Sequence, residues 1–245
     1  SWYVEKLTED LAQKAWSLFQ DIEQHGGMAA ALQSGTVQSD IAKSADIKAK
    51  AVTTGRAELT GVSAFPLLGD DGVSLGPWPK VDAAPPKPAV TVPPLRQVRL
   101  AEPFEALRDA ADAHAAETGK PYEVFLASLG QVVDHNVRST WIKNYLAAGG
   151  IAAVMTDGYA DAEAAAKAFK SSSLSAACIC SSDAVNAEHA ELTAKALKAA
   201  GAKLVLMAGR PGDREAALKA AGVDQFLAAG QDAVATLGDL QKKLG

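Results

Sequence analysis

Hydrophobic positions in the second half of the chain alternate between short continuous runs and longer amphipathic segments. The short runs predict strands at 122–129, 151–155, 176–180, 204–207 and 225–227. The longer segments predict helices at 103–117, 138–148, 161–170, 184–200, 213–221 and 232–244. Strands that alternate with helices of this length are typical of right-handed βαβ units in a doubly wound parallel sheet. We therefore predict a flavodoxin-like α/β domain with five strands over residues 99–245, in the order 2-1-3-4-5.

The first 68 residues follow a different pattern, in which helical periodicity dominates. An apolar stripe that stops before Gly26 and Gly27 predicts the first helix, and its members are Leu7, Leu11, Ala15, Leu18 and Ile22. Two shorter helices are predicted over 28–34 and 37–54, and one strand over 58–65. A lone strand is not a sheet, and three helices beside it leave hydrophobic faces uncovered. We interpret residues 1–68 as the C-terminal tail of a larger domain whose beginning this sequence lacks.

Proline dominates the segment between these two regions. The prolines crowd between positions 77 and 94, and they are Pro77, Pro79, Pro85, Pro86, Pro88, Pro93 and Pro94. Such a run disfavours both helix and sheet pairing and favours extended, polyproline-like backbone. We predict a semi-rigid, proline-rich linker over 69–98 that follows a surface. Trp78 is expected to anchor it, in preference to forming part of a peptide-recognition motif.

The composition and net charge of the chain argue against some classes of function. The chain is 48% hydrophobic and 22% charged, with a formal net charge of −5. This acidic balance, without a stripe of lysine and arginine, argues against nucleic-acid binding. Apolar runs fall short of the roughly 20 residues that cross a bilayer. Because a secretory signal pattern is also missing from the sequence, we expect a cytoplasmic protein without membrane contact.

Candidate chemical groups are sparse. Cys178 and Cys180 lie two positions apart in an apolar run, so strand geometry turns both the same way and favours reduced core thiols over a disulfide. The cysteines and the four histidines show no metal-ligand spacing, and the sequence has no nucleophile-elbow motif. We therefore predict neither catalytic nor metal-binding residues. The turn at 209–212 could hold an anion on helix amides, but Asp213 as N-cap is the simpler interpretation.

The connection after the first predicted strand carries the most informative motif. Residues 127–131 read Ala-Ser-Leu-Gly-Gln, and the next six positions read Val-Val-Asp-His-Asn-Val. In an open parallel sheet, the loop at this strand end is the usual ligand site. The run at 127–131 resembles the cobalamin-binding loop of the methylmalonyl-CoA mutase family. Residues 2–8, 26–31 and 60–63 resemble the last part of that family's (β/α)8 substrate barrel. The resemblance implies a partial barrel tail, a linker and a cobalamin-type domain, in that order.

The resemblance breaks at the residues that would bind the cofactor. Family members that bind cobalamin carry Asp-x-His-x-x-Gly, in which the histidine ligates cobalt and the aspartate orients the imidazole. Val132, Asp134 and Val137 occupy those three positions here. A carboxylate is not the nitrogen donor that the resemblance would require, and valine cannot form a hydrogen bond through its side chain.

Two further family signatures are also altered. The family's Ser-x-Leu keeps Ser181 but ends in Asp183, and its Gly-Gly reads Ala208-Gly209 followed by Arg210. The resemblance therefore implies a domain that keeps the fold without the cofactor. We predict a degenerate pocket, with no cofactor bound by this chain, at the loops marked by Gly130, Asp134, Ser181 and Gly209.

These changes are similar to those of the family's small subunit, which does not bind cobalamin. The resemblance implies a structural chain in a heterodimer with a large subunit that carries adenosylcobalamin and isomerises methylmalonyl-CoA to succinyl-CoA. Two alternatives stay open. His135 could ligate cobalt if the loop shifted by one residue, or the domain could be a flavodoxin-like module that binds another small molecule. A closed pocket favours the structural subunit, whereas an open channel containing His135 favours cobalamin binding.

Overall fold

The computed structural model describes residues 1–69, 74, 76–77, 79 and 90–245. The chain forms two compact units, one of Ser1–Ile47 with Val73–Val98 and the other of Lys48–Gly72 with Arg99–Gly245. Trp78 and the prolines at 85, 86 and 88 lie outside the described residues. The predicted linker, its anchor and the boundaries at 68 and 98 therefore stay predictions. None of the helices in the described ranges is long and apolar enough to cross a bilayer.

The first unit is helical. Its helices are α1 (Trp2–Gln24), α2 (Gly27–Ser34) and α3 (Thr36–Thr53), the last of which extends into the second unit. Gly26 and Gly35 have φ angles of 93° and 81°, which permit the tight turns between these helices. Gln38 of α3 donates to the carbonyl oxygens of Leu32 and Pro93 at 3.0 and 2.8 Å. These bonds join the segment after residue 90 to the helices of the same unit.

The strand predicted over 58–65 is wrong. This segment forms a turn in which Leu59 O accepts hydrogen bonds from the amides of residues 62–64, and a single bridge links Thr60 to Ala64. The segment pairs with no named strand in the part of the chain that the structure describes. Its backbone groups therefore satisfy one another locally, since unpaired backbone groups are costly. The partial barrel tail stays a prediction.

The second unit is an α/β domain built on one five-stranded sheet. Its strands are β1 (Glu123–Ser128), β2 (Ala152–Val154), β3 (Ala176–Cys180), β4 (Leu204–Ala208) and β5 (Gln225–Leu227). All neighbouring strands are parallel, and their order is β2-β1-β3-β4-β5. The predicted flavodoxin-like sheet is therefore confirmed.

Helices connect and cover these strands. They are α4 (Glu102–Thr118), α5 (Val132–Ala148), α6 (Ala162–Ser172), α7 (Asp183–Ala199), α8 (Glu215–Ala220) and α9 (Ala233–Leu244), with a 3-10 turn at Gly212–Arg214. The predicted start of α5 at position 138 is wrong, because the helix already begins at Val132. The predicted N-cap role of Asp213 is also wrong. That residue lies inside the 3-10 turn, and α8 begins at Glu215.

The core consists of two hydrophobic layers, one on each face of the sheet. Val124 and Leu126 of β1 belong to the layer formed with α4, α5 and α9, whereas Phe125 and Ala127 belong to the layer formed with α6, α7 and α8. This alternation follows from the two-residue side-chain period of a strand. The central strands are covered on both faces, which explains why the sequence shows them as continuous apolar runs.

The first of these layers predicts a large stability cost for truncation at Leu146. This α5 side chain is fully buried, so Leu146→Ala removes apolar contacts and leaves a cavity. We expect the free energy of unfolding to fall by about 2–5 kcal/mol. The matched control is Leu192→Ala on α7, where the side chain is 60% exposed and a change below about 0.5 kcal/mol is expected. Urea unfolding followed by circular dichroism measures both, and equal losses would contradict the packing of α5.

Candidate functional site

The connections after β1, β3 and β4 meet at one edge of the sheet, because the carboxyl ends of parallel strands point the same way. This edge contains the residues that the sequence pattern singled out: Gly130, Asp134, His135, Ser181 and Gly209. What each of them can do depends on the atoms that it contacts. Most of them stabilise the fold itself.

Asp134 occupies the position at which cobalamin-binding members of the resembled family have histidine. Its Oδ2 accepts the backbone N–H of Gln131 at 2.8 Å and so caps the first turn of α5. A Cβ on Gly130 would lie 2.7 Å from the same oxygen, so glycine is the residue that fits beside the cap. A carboxylate in the first turn is stabilised by the free amides of the helix. Asp134 therefore initiates α5 and offers no nitrogen donor.

His135 is buried in the first turn of α5 and lies within the helix rather than in a loop, with 4% of its surface exposed. Its Nδ1 is 3.4 Å from Ser139 Oγ, which is 3.0 Å from Ser128 Oγ and 3.4 Å from Cys180 Sγ. His135 Nε2 has no hydrogen-bond partner among the described residues. The imidazole thus joins a small buried polar cluster at the end of β1 and β3.

The connection between β2 and α6 closes over His135. Tyr159 N donates to Ser128 O at 2.7 Å, and Gly130 N donates to Tyr159 O at 2.9 Å, so this connection pairs with the end of β1. Gly158 has a φ of +106°, and a Cβ at this position would lie 2.6 Å from His135 Nε2 and 2.9 Å from Gly130 O. The backbone at Gly158 therefore covers the imidazole and separates it from solvent.

Ser181 is also engaged in hydrogen bonds within the fold. Its hydroxyl is fully buried and donates to Leu129 O at 2.7 Å, which joins the end of β3 to the end of β1. Asn186 Nδ2 donates to Ser181 O at 3.1 Å, and Ser182 Oγ accepts the N–H of Val185 at the start of α7. The serine that the chain shares with the family signature is thus held by internal hydrogen bonds.

A groove of about 480 Å³ opens beside these closed connections. We call it the edge groove, and its walls are Val137, Arg138, Trp141, Asp183, Gly209, Arg210, Ala228 and Ala229. Gly209 is the one wall residue among the five singled out at this edge. Reasoning from the sequence missed Arg138 and Trp141 as site residues. A helix start before Val137 could have found Trp141, because helical spacing then places Trp141 one turn after Val137.

Val132 and Val137 occupy the aspartate and glycine positions of the family's cobalamin motif. Both side chains are exposed, and neither can donate or accept a hydrogen bond. Across the described residues, no group of three or more histidine, cysteine, aspartate or glutamate side chains is placed to hold a metal ion. The carboxyl edge therefore lacks a metal-ligating set within the described part of the chain.

Cys178 and Cys180 lie on β3 as free, buried thiols, as predicted. Burial raises the pKa of Cys178 well above its ordinary value. Burial also raises the pKa of Cys180 to about 11, although the hydrogen bond with Ser139 and the charge of Arg138 partly oppose this shift. Both thiols therefore stay protonated near neutral pH, and protonated thiols are poor nucleophiles.

The buried thiols predict a loss of stability at alkaline pH. In the unfolded chain a thiol ionises near its ordinary pKa of 9.0, whereas the folded chain keeps Cys180 protonated up to a pKa of about 11. Protonation of the buried thiols contributes fully to the free energy of unfolding below pH 9. This contribution is lost as the pH rises towards 11, because the thiols of the unfolded state release their protons first. Urea titrations across this range measure the loss. In the double variant Cys178→Ala/Cys180→Ala, the free energy of unfolding should fall less steeply with pH. An unchanged slope would refute the attribution of the loss to the buried thiols.

Because Gly158 lies against His135, we predict that a side chain at position 158 lowers the free energy of unfolding. Gly158→Ala combines strain at a φ of +106° with contact between the new methyl group and His135 Nε2. The matched control, Gly201→Ala, has a φ of +103° but open space around the new Cβ. We expect the control to lose about 1–3 kcal/mol of unfolding free energy from strain, and Gly158→Ala to lose about 1–3 kcal/mol more.

A third variant makes this comparison a double-mutant cycle. His135→Ala removes the atom that the new methyl group meets, so it should recover part of the excess loss when it is combined with Gly158→Ala. Urea unfolding of the unsubstituted chain, Gly158→Ala, His135→Ala and the double variant measures the coupling energy. Strictly additive losses would show that Gly158 does not lie against the imidazole.

Comparison with known proteins finds relatives along the whole chain. A family model described as methylmalonyl-CoA mutase matches residues 1–86. The methylmalonyl-CoA mutase small subunit of Streptomyces virginiae is 42% identical over 245 residues, which is 100% of this chain and 37% of that protein. The small subunit of Propionibacterium freudenreichii subsp. shermanii is 34% identical over 248 residues, again 100% of this chain and 37% of that protein.

A large subunit also matches, over a shorter stretch. The methylmalonyl-CoA mutase large subunit of the same Propionibacterium is 42% identical over 65 residues, or 26% of this chain and 9% of that protein. The chain spans about 37% of the length of the small subunits it matches, and the similarity to them runs from one end of the chain to the other. Taken with the altered cobalamin motif on a confirmed flavodoxin-like sheet, this means that the chain belongs to the methylmalonyl-CoA mutase family.

Proposed function

We propose that this chain is part of the small, non-catalytic subunit of a heterodimeric, adenosylcobalamin-dependent methylmalonyl-CoA mutase in the cytoplasm. In this proposal the large subunit carries the cofactor and isomerises methylmalonyl-CoA to succinyl-CoA, while this chain has a structural role. The observation that carries the proposal is the closed β1–α5 connection, in which Asp134 caps the helix and Gly158 covers His135. A connection closed in this way leaves no imidazole free to reach cobalt.

The residues at the sheet edge do not fit cobalamin. Ligation of cobalt in the manner of the family would require an imidazole nitrogen that faces outward and is oriented by a carboxylate. Asp134 is instead bonded to Gln131 N, and Val132 has no atom that could orient a histidine. Val137 adds an exposed, branched side chain where the family motif has glycine, the residue that admits close approach to the backbone.

The geometry also argues against the alternative in which His135 ligates cobalt. Its Nε2 is buried against Gly158 and is not part of the edge groove. To expose it, the β2–α6 connection would have to leave the end of β1. Both backbone hydrogen bonds of Tyr159 at that point would then break, at a cost of about 0.5–1.5 kcal/mol each.

The other three histidines make their contacts within their own units. His25 follows α1, where its Nδ1 is 2.7 Å from Asp21 O. His114 lies on α4 and stacks on Tyr122, with the ring centroids 4.1 Å apart, and His189 lies on α7 beside Glu188. His114 and His189, the two that belong to the α/β unit, are not among the residues that line the edge groove.

The first unit supports the proposal of a protein partner. Helix α1 has 23 residues, none of which is buried. Its exposed side chains include many large apolar ones, namely Trp2, Tyr3, Val4, Leu7, Leu11, Trp16, Leu18 and Phe19. Extended exposed apolar surfaces of this kind are typical of protein–protein contacts. In the proposed assembly, this helix packs against other parts of the mutase.

An absorbance titration tests the proposal. Adenosylcobalamin is titrated with the purified chain, and we expect its spectrum to stay unchanged at high micromolar protein, because no imidazole can replace the lower base of the cofactor. His135→Ala should behave in the same way. The large subunit of a mutase of this family serves as the positive control and should shift the spectrum.

Two results would contradict the proposal. A saturable spectral shift that disappears in His135→Ala would show that this chain ligates cobalt itself. The second result concerns the structural role, which requires a complex with the large subunit. If size-exclusion chromatography of mixtures with the large subunit shows no complex, that role is excluded.

A further inference from the structure

A cavity of about 690 Å³ lies at the amino ends of β1 and β3, at the opposite edge of the sheet from the edge groove. Residues 118–123 and 172–175 form most of its walls, and we call it the amino-edge cavity. It shares no lining residue with the edge groove. Its volume falls within the roughly 300–1,000 Å³ that is typical of ligand pockets. It is therefore a separate candidate site for a small molecule.

One wall of the amino-edge cavity is a pair of stacked rings. The imidazole of His114 on α4 and the phenol ring of Tyr122 have centroids 4.1 Å apart and an interplanar angle of 14°. The Tyr122 hydroxyl is not among the buried side-chain atoms that lack a hydrogen-bond partner in the described part of the chain. The rings therefore offer a flat surface for an apolar group, together with a hydroxyl that a ligand can reach.

Two side chains of opposite charge, Lys120 and Glu123, also line the cavity. Lys120 is exposed, and Glu123, the first residue of β1, is half-buried. Neither forms an ion pair among the described residues. Both charges are therefore available to a ligand that enters the cavity.

The C-terminus of α4 adds partial negative charge to the same region. This helix ends at Thr118, and Gly119 follows as its cap with a φ of 72°. The last turn of α4 contains no basic residue. Carbonyl groups at a helix C-terminus carry partial negative charge, which stabilises a nearby cation. A cationic group in the cavity is therefore favoured by Glu123 and by the end of α4.

Serine hydroxyls line the cavity on the α6 side. Ser172 is used by the fold, since its Oγ donates to Phe169 O at 2.7 Å. Ser173 is exposed, and Ser175 is half-buried. The hydroxyl of Ser175 is not among the buried unpartnered atoms of the described residues, so it also faces accessible space. A hydroxyl both donates and accepts, so these two serines can bind an ammonium group or a carboxylate.

The distribution of charge selects the class of ligand. A lone anion would be attracted by Lys120 but repelled by Glu123 and by the end of α4. A lone cation would be attracted by Glu123 but repelled by Lys120. A ligand that carries both charges finds a partner for each of them.

We propose that the amino-edge cavity binds a free amino acid with an apolar side chain. Its ammonium group pairs with Glu123, its carboxylate pairs with Lys120, and its side chain lies against the rings of His114 and Tyr122. This inference goes beyond the proposed mutase subunit. It needs neither cobalamin nor the large subunit, so either proposal can fail while the other holds.

Isothermal titration calorimetry with L-phenylalanine tests the proposal on the purified chain. We expect saturable binding. Phenethylamine lacks the carboxylate and 3-phenylpropionate lacks the ammonium group, so each should bind about tenfold more weakly or worse, because a hydrogen bond to a charged group is lost. L-Alanine should also bind more weakly, because it lacks the ring that contacts His114 and Tyr122.

Charge-changing variants locate the site. Glu123→Gln should weaken binding of L-phenylalanine about tenfold, and Lys120→Gln about threefold, because the exposed lysine contributes less. Lys120→Gln should also strengthen binding of phenethylamine, since it removes a repulsive charge. The matched controls are Glu188→Gln and Lys195→Gln, which remove one charge of each sign from α7 outside the cavity and should leave the affinity unchanged. Circular dichroism verifies that each variant is folded.

Three outcomes would overturn the proposal. The first is the absence of saturable heat with L-phenylalanine at millimolar concentration in the folded chain. The second is equal affinity for L-phenylalanine and for either half of it, which would show that one of the two charges is not recognised. The third is unchanged affinity in folded Glu123→Gln, or an equal loss in Glu188→Gln, which would place the binding elsewhere.

Discussion

The hydrogen bond from Gln131 N to Asp134 Oδ2 determines how the carboxyl edge of this sheet is used. It starts α5 at Val132, close behind the end of β1. The same early start extends the helix through Val137, Arg138 and Trp141, which form one wall of the edge groove. A single capping interaction therefore sets where α5 begins, and residues of the helix that follows form a wall of the edge groove.

The edge is divided into a closed part and an open part. At β1 and β3, hydrogen bonds of Ser181 and Tyr159 join the strand ends to each other and to the β2–α6 connection. After β4 and β5, the small residues Gly209, Ala228 and Ala229 line the edge groove, which is open. The edge groove therefore lies on the side of the sheet edge formed by the connections after β4 and β5.

Much of the fold could be predicted because buried central strands appear as continuous apolar runs, and right-handed crossovers then limit the strand order. The strand at 58–65 was wrong because a local pattern cannot show whether a partner strand exists. The start of α5 was missed because polar residues at 134–136 hide the helical period. Closure by Gly158 depends on contact between two distant connections, although its Asp157-Gly158 dipeptide is a turn signal.

Helix α1 and the α/β unit differ in the interactions that stabilise them. A helix of 23 residues that buries none of them gains little beyond its local propensity, and isolated helices in water are marginal. In the proposed assembly, its persistence is governed by mass action, through the free concentration of the partner that covers it. The α/β unit has its own two-layer core and does not depend on that concentration. If the chain assembles as proposed, a shortage of partner would expose α1 to proteases before the α/β unit, and the lifetime of the chain would depend on its assembly.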